Sequence, residues 1–266
     1  VGDICDTALL DQAFSGAEHV YHLAARADIV PSIQEPAEYF RSNVDGTFAV
    51  LQAAKKANVK RFVYAASSSC YGIPDAYPTP ETADIRPEYP YALTKRMGEE
   101  LVLHWAQVYR LPALALRFFN VYGPNEYHKE SMQSVVAKSY PKAAKGDVVT
   151  LFRSHRPDYA DGGQLRDFVY VKDCVRVVMW LLSRPNVSGL FNVGTGKARS
   201  FADLVRAVFA ACGQEPAIQF VDTPIEIREK YQYYTQARMD RLHEAGYTIP
   251  FTSLEDGVRD YVVNYL

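Results

Sequence analysis

Short apolar runs alternate with longer stretches of helical periodicity over the first 120 residues of the chain. The runs HVYHLAA (19–25), RFVYAAS (61–67) and ALALRFF (113–119) are separated by helical patterns near 37–57 and 92–109. Parallel strands need a long crossover connection, usually a helix, so this alternation predicts β-α-β units around a parallel sheet. The runs are apolar almost throughout, which is typical of strands whose sheet is covered by helices on both faces.

The second of these helical patterns carries an apolar stripe at spacings of three and four residues. The stripe consists of Leu93, Met97, Leu101, Trp105 and Val108. Such spacing places side chains on one face of an α-helix. We therefore expect this face to pack on the sheet.

The pattern changes after Asn120. A loop-rich section follows, with an amphipathic helix over about Met132–Lys145 and the strand VVTLF (148–152). The strands DFVYV (167–171) and GLFNVG (189–194) come next. We interpret the part that holds these last two strands as a return of the chain to the sheet, and the flanking segments as a smaller second lobe.

Charge and apolar content exclude several classes of partner. The net charge is −2 with a pI near 6.3, and the basic residues are scattered, so nucleic acid is not expected as a partner. No apolar stretch approaches the roughly 20 residues of a membrane helix, and the first residues, VGDICD, lack the features of a signal peptide. We expect an untargeted soluble protein with no membrane partner.

The cysteines give no sign of a metal site. Cys5, Cys70, Cys174 and Cys212 lie far apart in the sequence, and neither a CxxC pair nor a suitable histidine spacing occurs. Structural zinc sites need such spacings. We expect no metal, and we expect free thiols in a reducing cytoplasm.

A glycine-rich turn is the usual opening of a sheet that binds a dinucleotide, because glycine lets backbone N–H groups approach the pyrophosphate. Neither GxxGxxG nor GxGxxG occurs in this sequence, and GTG at 194–196 follows a late strand and lacks the third glycine. Two expectations remain open. Either the first β-α units of the sheet are missing from this chain, or the protein does not bind a dinucleotide in the usual way.

Three side chains suggest proton transfer. Tyr91 and Lys95 stand four residues apart at the start of a predicted helix, so both project from one face. A lysine ammonium beside a phenol favours the phenolate, so Lys95 is expected to lower the pKa of Tyr91. Ser67 ends the strand RFVYAAS, at the edge where open α/β sheets bind ligands. A Tyr-Lys pair at this spacing also arises by chance, and SSSCYG (67–72) also fits a polar turn. The order Ser67, Tyr91, Lys95 on consecutive β-α units nevertheless favours a functional site.

Several motifs together resemble the extended short-chain dehydrogenase/reductase family of nucleotide-sugar epimerases and dehydratases. They are GDICD (2–6), HLAA (22–25), Asn43 in SNVDGT, SSSCYG (67–72), YALTK (91–95), RFFNVYGP (117–124), RDFVYVKD (166–173) and FNVGTG (191–196). The resemblance implies an α/β fold, a Rossmann-like doubly wound parallel sheet that lacks its first β-α units, with a smaller α/β substrate-binding lobe. It implies a cofactor-binding domain of residues 1–118, 167–196 and about 233–245, and a substrate lobe of 119–166, 197–232 and 246–266.

The resemblance also implies a role for individual residues. Ser67, Tyr91 and Lys95 would form the catalytic triad, with Tyr91 as acid and base and Lys95 also holding the nicotinamide ribose. One NADP or NAD per subunit would be contacted by Asp3, Ile4, Leu23, Ala24, Ala25, Arg26, Ala27, Asn43, Tyr91, Lys95 and Val121. A nucleotide-sugar substrate would be contacted by Asn120, Ser131, Lys138, Phe152, Arg153, Ser154, His155, Arg166 and Tyr231. Members of this family usually assemble, so a homo-oligomer is expected.

The residues after Ser67 bear on the reaction. In the dehydratase branch an Asp-Glu pair follows the catalytic Ser or Thr, whereas here Ser68 and Ser69 follow Ser67, which disfavours dehydration. The first half of the chain resembles UDP-sugar 4-epimerases. The second half resembles ADP-glyceromanno-heptose 6-epimerases more closely, through stretches such as FFNVYGPNEYHKESM and KYQYYTQARM.

Lys129 distinguishes the two reactions. A 6-epimerase oxidises C6 to an aldehyde, which rotates and takes hydride back on its other face, so a second acid and base is useful. By resemblance this second group is Lys129. The alternative interpretation is that Lys129 is an ordinary solvated lysine in a polar loop. The leading hypothesis is a heptose 6-epimerase. The alternatives are a UDP-glucose or UDP-glucuronate 4-epimerase, and a catalytically silent fragment that binds nucleotide sugars.

Overall fold

The computed structural model describes residues 1–228 and 231–266, apart from the side chains of Ser131, Glu226 and Ile227. Its strands are β1 (His19–His22), β2 (Arg61–Ser67), β3 (Ala113–Phe118), β4 (Asn120–Tyr122), β5 (Val149–Phe152), β6 (Leu165–Arg166), β7 (Phe168–Tyr170), β8 (Gly189–Val193), β9 (Arg199–Ser200) and β10 (Ile218–Val221). Its α-helices are α1 (Thr7–Ala13), α2 (Val30–Gln34), α3 (Pro36–Phe40), α4 (Gly46–Lys56), α5 (Pro90–Val108), α6 (Val135–Ala143), α7 (Val171–Leu182), α8 (Phe201–Ala211), α9 (Ile225–Arg228), α10 (Asp240–Glu244) and α11 (Leu254–Tyr265).

Four parallel strands form the main sheet, in the order β1-β2-β3-β8. The predicted parallel sheet is therefore confirmed, and β2 has the predicted bounds of 61–67. Ser67 lies opposite Phe118, which in turn lies opposite Val193, so the carboxyl ends of three strands meet at one edge. This edge is where Ser67 is placed.

The strand DFVYV does not join the main sheet, contrary to the sequence-based expectation. As β7 it pairs in parallel with β4, and only β8 returns to the four-stranded sheet. Val169 of β7 still packs in the same core as Val63 and Leu114 of the main sheet. An apolar strand shows that it is buried but not which strand it pairs with, and this explains the error.

The face of α5 that packs on the sheet also differs from the predicted one. Leu93 and Val108 are exposed, whereas Lys95, Gly98 and Glu99 are on the buried face. A Cβ on Gly98 would come within 2.3 Å of the Tyr64 hydroxyl, so only glycine permits this close approach of helix to strand. The stripe prediction was right for Trp105, which is 8% exposed and packs in the core, and wrong for Leu93 and Val108, because the buried face also carries small and charged residues.

The second lobe has its own core. Helices α6, α8 and α11 pack together through Val136, Val205, Phe209, Val258 and Tyr261, and β5 pairs in parallel with β10 at their side. Helix α8 begins with a capping box in which Ser200 and Asp203 satisfy each other's backbone N–H groups. This lobe supplies most of the predicted substrate residues.

The described residues include four free cysteines. Among them we find no cluster of three or more His, Cys, Asp or Glu side chains placed to hold a metal ion. In the same two ranges, no helix combines the length and the apolar character needed to cross a membrane.

Candidate active site

Ser67 and Tyr91 meet where β2 ends and α5 begins. The Ser67 hydroxyl accepts a hydrogen bond from the Ser69 backbone N–H at 3.2 Å and lies 2.8 Å from the Ser69 hydroxyl. Pro90 starts α5, as is common at this position, and places Tyr91 in its first turn. Burial raises the pKa of the Tyr91 phenol, while the nearby Ser67 hydroxyl lowers it. Lys95 is not among the groups that shift the pKa of Tyr91, so the lowering by Lys95 expected from the sequence does not occur in this structure.

The Lys95 ammonium is buried and has no hydrogen-bond partner in the described ranges. The residue is 5% exposed, and its Nζ lies 4.5 Å from the centre of the Tyr64 ring. Burial lowers the pKa of Lys95 to about 8, and Glu99 raises it. Buried polar groups normally have partners. A buried ammonium without one fits a ligand hydroxyl, as the nicotinamide ribose would supply.

Glu99, one helical turn after Lys95 on α5, forms a buried ion pair with Arg117 of β3. Glu99 accepts hydrogen bonds from Arg117 Nε at 2.8 Å and from a second Arg117 nitrogen at 2.6 Å, and both side chains are 1% exposed. Arg117 stands opposite Ala66 in the sheet, next to Ser67. The pair therefore ties the helix of Tyr91 and Lys95 to the strands that place Ser67. The sequence analysis missed it, because an apolar pattern carries no signal for buried charges.

Asn43 lies in a π-helical turn, Arg41–Asp45, that joins α3 to α4. Its Nδ2 donates to the Arg26 carbonyl at 2.9 Å and to the Thr94 hydroxyl at 3.0 Å, and its Oδ1 accepts from the Arg26 N–H at 2.7 Å. Asn43 thus fixes the segment after β1 against α5, one residue from Lys95. The predicted helix over 37–57 is interrupted here.

The other predicted cofactor residues line the surface next to β1 and β4. Asp3 pairs with Arg41 at 2.6 Å and accepts from the Cys5 N–H, which lowers the pKa of Asp3 most. Ile4 packs beside Gly46. The segment after β1 is largely exposed: Leu23 and Ala24, partly buried Ala25, and Arg26 and Ala27. Val121 is 40% exposed.

A cavity of about 330 Å³ in the second lobe brings together Lys138, Phe152 and Tyr231 from the predicted substrate residues. A further cavity of about 300 Å³ is lined by Asn120 and Val121, and it shares Val135 and Phe201 with the first. Gln232 donates to the Gly72 carbonyl at 2.5 Å. This contact joins the segment after Ser67 to the chain next to Tyr231.

Arg166 lies beside this cavity, packed against two aromatic rings. The residue is 8% exposed, and its guanidinium carbon lies 5.4 Å from the Phe201 ring centre and 5.5 Å from that of Tyr231. Its one described hydrogen bond goes to the Leu165 carbonyl, and no carboxylate among the described side chains, which leave out Glu226 and Glu229, pairs with it. Burial lowers the pKa of Arg166. A buried guanidinium without a carboxylate suits an anionic ligand.

The loop after β5 holds the next three predicted residues. Arg153 is exposed and pairs with Asp161 and Asp222. Ser154 donates its backbone N–H to Asp161, and the His155 N–H donates to the Tyr233 hydroxyl at 3.0 Å. These three contacts hold the loop in place.

Lys129 is exposed in the loop between β4 and α6. Within the part of the chain that the structure describes, it contacts neither Ser67 nor Tyr91 nor Lys95. The predicted Ser131 lies in the same loop, and its side chain is outside the described residues. Buried Glu126 accepts from both the N–H and the hydroxyl of Ser134 at 2.6 Å, so the base of this loop is closed.

Asp167 is a buried residue that the sequence analysis did not single out. Its carboxylate accepts hydrogen bonds from the Thr195 N–H and hydroxyl and from the N–H groups of Gly196 and Ala237, at 2.6–3.0 Å. Burial raises the pKa of Asp167. The GTG turn therefore binds this carboxylate inside the protein. In the sequence, the signal that could have identified Asp167 was its position directly after Arg166.

Comparison with known proteins gives a consistent result. The model described as "NAD dependent epimerase/dehydratase family" matches residues 1–194. A protein of Nitratidesulfovibrio vulgaris (strain DP4) named ADP-L-glycero-D-manno-heptose-6-epimerase is 50% identical over 211 residues, covering 77% of this chain and 64% of that protein. A protein of the same name from Alkalilimnicola ehrlichii is 34% identical over 253 residues, covering 95% of this chain and 77% of that protein. The chain thus spans somewhat less than two thirds of the first relative's length.

Solved structures with a similar fold carry different names. The Thermus thermophilus UDP-glucose 4-epimerase complex with NAD has a TM-score of 0.82 and 30% identity, covering 98% of this chain and 82% of that one. A UDP-N-acetylglucosamine 4-epimerase from Methanobrevibacter ruminantium, in complex with UDP-N-acetylmuramic acid, has a TM-score of 0.87 and 25% identity, covering 98% and 80%.

Proposed function

Because the chain belongs to the NAD-dependent epimerase/dehydratase family, we propose that it is a nucleotide-sugar epimerase that acts by transient oxidation with one NAD or NADP per subunit. One observation carries this proposal: Tyr91 lies near enough to Ser67 for that hydroxyl to lower the pKa of the phenol, one helical turn from a buried Lys95 ammonium that has no hydrogen-bond partner in the described ranges. A phenol, a neighbouring hydroxyl and an available ammonium are what proton transfer beside a ribose requires.

Each of these side chains has a distinct task. The bound nicotinamide supplies a hydride acceptor for the sugar carbon. Tyr91 takes the proton of the sugar hydroxyl as that carbon is oxidised, and returns it afterwards. Ser67 orients the phenol and stabilises its ionised form, in keeping with the direction in which it moves the Tyr91 pKa. Lys95 holds a ribose hydroxyl.

Arg166 supports a diphosphate-bearing substrate. Its buried guanidinium adjoins the cavity of Lys138, Phe152 and Tyr231, where an aromatic base would find flat apolar walls. A guanidinium matches two phosphate oxygens with its planar fork, which a lysine cannot do.

Replacing Arg166 with Leu is expected to weaken ADP binding by about 10- to 100-fold, since a hydrogen bond to a charged group contributes roughly 1.5–3 kcal/mol. Arg166→Lys should recover only part of the loss. Titration calorimetry with ADP measures both variants. The matched control is Arg259→Leu, an exposed arginine of α11 that pairs with Asp256. Equal affinities for wild type and Arg166→Leu would contradict the assignment.

For the sugar, our best proposal is ADP-glycero-manno-heptose with inversion at C6. It is supported by relatives of that name at 34% and 50% identity, against 25–30% for the two UDP-sugar 4-epimerase structures. A UDP-glucose or UDP-glucuronate 4-epimerase is the second candidate. The four free cysteines are compatible with work in the cytoplasm, and we propose a homo-oligomer there.

Lys129→Ala is expected to lower heptose epimerisation by about 100-fold, because removal of a general acid or base costs roughly 10²–10⁴ in rate. Its ammonium is exposed and has no ion-pair partner in the described ranges, so it is available to a substrate. Epimerisation is followed with ADP-heptose and, separately, with UDP-glucose. Lys145→Ala, an exposed lysine just after α6, is the control. Full heptose activity in Lys129→Ala would exclude the two-base reaction, and 4-epimerase activity in both variants would favour the second candidate.

A catalytically silent nucleotide-sugar-binding protein is the alternative from another class. Nicotinamide absorbance or fluorescence of the purified protein discriminates it from an epimerase. Protein that binds ADP-heptose yet carries no nicotinamide and shows no turnover with added NAD or NADP would establish the silent form.

A further inference from the structure

Two deeply buried polar side chains line the cavity of the second lobe. Ser139 of α6 is 3% exposed and Gln164 is 1% exposed, and both are part of the wall of the 330 Å³ cavity. Neither belongs to the substrate residues that the sequence suggested. Polar side chains buried to this degree normally have hydrogen-bond partners, so an unpaired one needs an explanation.

The partners of Gln164 fix the orientation of its amide. Its Nε2 donates to the Phe152 carbonyl at 3.4 Å, and a carbonyl can only accept, so the NH₂ end of the amide must face Phe152. Its own backbone carbonyl accepts from the Phe201 N–H at 3.2 Å, at the start of α8. The backbone of Gln164 is therefore anchored to α8, its amide nitrogen faces Phe152, and its side-chain oxygen is left as an acceptor.

Two oxygens remain without a protein partner. In residues 1–228 and 231–266, no hydrogen bond reaches Gln164 Oε1 or Ser139 Oγ. The described side-chain atoms that are both unpaired and sealed from solvent are Arg61 Nε, Trp105 Nε1 and Tyr261 OH, and neither cavity oxygen is among them. Both oxygens therefore keep access to the cavity that their residues line.

The remaining walls fit an aromatic base. Phe152, Phe201 and Tyr231 are flat and apolar, and Arg166 stacks beside the last two, where a diphosphate would continue from the base. A fixed amide oxygen at the wall discriminates by hydrogen-bond type: it accepts from an amine and repels a carbonyl. Adenine has an exocyclic amine, and hypoxanthine has a carbonyl at the same position.

We propose that Gln164, together with Ser139, selects adenine in the nucleotide portion of the substrate. Gln164 Oε1 accepts a hydrogen bond from the exocyclic amine, and the Ser139 hydroxyl donates to a ring nitrogen. This inference rests on the proposed function and names the base that the cavity takes.

Titration calorimetry with ADP, IDP and UDP tests the assignment. Wild-type protein is expected to bind ADP about tenfold more tightly than IDP or UDP. Gln164→Leu should lose about tenfold in ADP affinity and bind ADP and IDP alike, while Ser139→Ala, which keeps a good helix former, should lose about threefold. Gln219→Leu is the matched control, because Gln219 is an exposed glutamine on β10 of the same lobe.

The outcomes separate this inference from the proposed function. Wild-type protein that binds neither ADP nor UDP overturns both. Wild-type protein that binds ADP and IDP equally, or UDP more tightly than ADP, overturns the adenine assignment and leaves an epimerase in place. The same holds if Gln164→Leu keeps the wild-type ratio of ADP to IDP affinity. If Gln164→Leu does not fold, the adenine assignment is tested by the ratio of ADP to IDP affinity of the wild-type protein and by the ADP affinity of Ser139→Ala.

Discussion

Replacing Tyr91 with Phe is expected to lower the rate of epimerisation by roughly 10²–10⁴-fold, the usual effect of losing a positioned general acid and base. The change removes one oxygen and leaves the ring in the first turn of α5. The variant therefore lacks the phenol whose pKa the nearby Ser67 hydroxyl lowers. Binding of ADP should change little, because the cavity of Phe152 and Tyr231 does not include Tyr91. Steady-state kinetics with ADP-heptose should therefore show a loss in kcat with KM nearly constant.

Tyr109→Phe is the matched control for this variant. Tyr109 caps the other end of α5 and is 44% exposed, so the same loss of one oxygen should leave the rate unchanged. Thermal unfolding of both variants checks that the fold is retained. A Tyr91→Phe protein with more than half of the wild-type rate would remove Tyr91 from the chemistry.

Glu99→Gln is expected to reduce the free energy of unfolding by about 3–5 kcal/mol, the usual result of removing one partner of a buried ion pair. The variant keeps the size of the side chain but leaves the Arg117 guanidinium buried without a carboxylate, at a site where both residues are 1% exposed. Arg117 cannot escape by losing its proton, because its guanidinium stays charged. Urea unfolding, with the midpoint and slope fitted together, measures the change.

An exposed ion pair provides the comparison. Asp11 pairs with Lys56 at 2.6 Å, with side chains 43% and 70% exposed, and Asp11→Asn should cost less than about 1 kcal/mol. If Glu99→Gln and Asp11→Asn gave equal small changes, burial of the Glu99–Arg117 pair would not matter for stability.

The sheet was the most predictable part of the fold. The run RFVYAAS became β2 with its predicted bounds, because a strand buried on both faces must be apolar at almost every position. The periodicity of α5 predicted the helix and the burial of Trp105, but not that Leu93 and Val108 would be exposed. The buried face also carries Lys95, Gly98 and Glu99, which pack because Arg117 and Tyr64 complement them, and those partners are distant in sequence.

The candidate site was predictable to different degrees. The order of Ser67, Tyr91 and Lys95 placed them on consecutive β-α units, and in the structure Ser67 lies near enough to Tyr91 to lower its pKa. The sequence could not predict that, among the described side chains, Arg166 has no carboxylate partner and Gln164 Oε1 has no donor. Whether a buried polar group is satisfied depends on every element packed around it, and a local pattern holds no such information.

The hydrogen bonds between Glu126 and Ser134 join the two ends of the loop that holds Lys129. Since the two ends are held 8 residues apart by buried hydrogen bonds, the seven residues between them form a closed excursion. Closing such an excursion costs free energy that rises slowly with length, by only about 0.6 kcal/mol for each doubling. The sequence and length of this segment can therefore vary while β4 and α6 stay in place, provided that the hydrogen bond from the Tyr127 hydroxyl to the Tyr265 carbonyl at 2.8 Å is kept or replaced. If Lys129 takes part in the reaction as proposed, a change of reaction type would need no new fold.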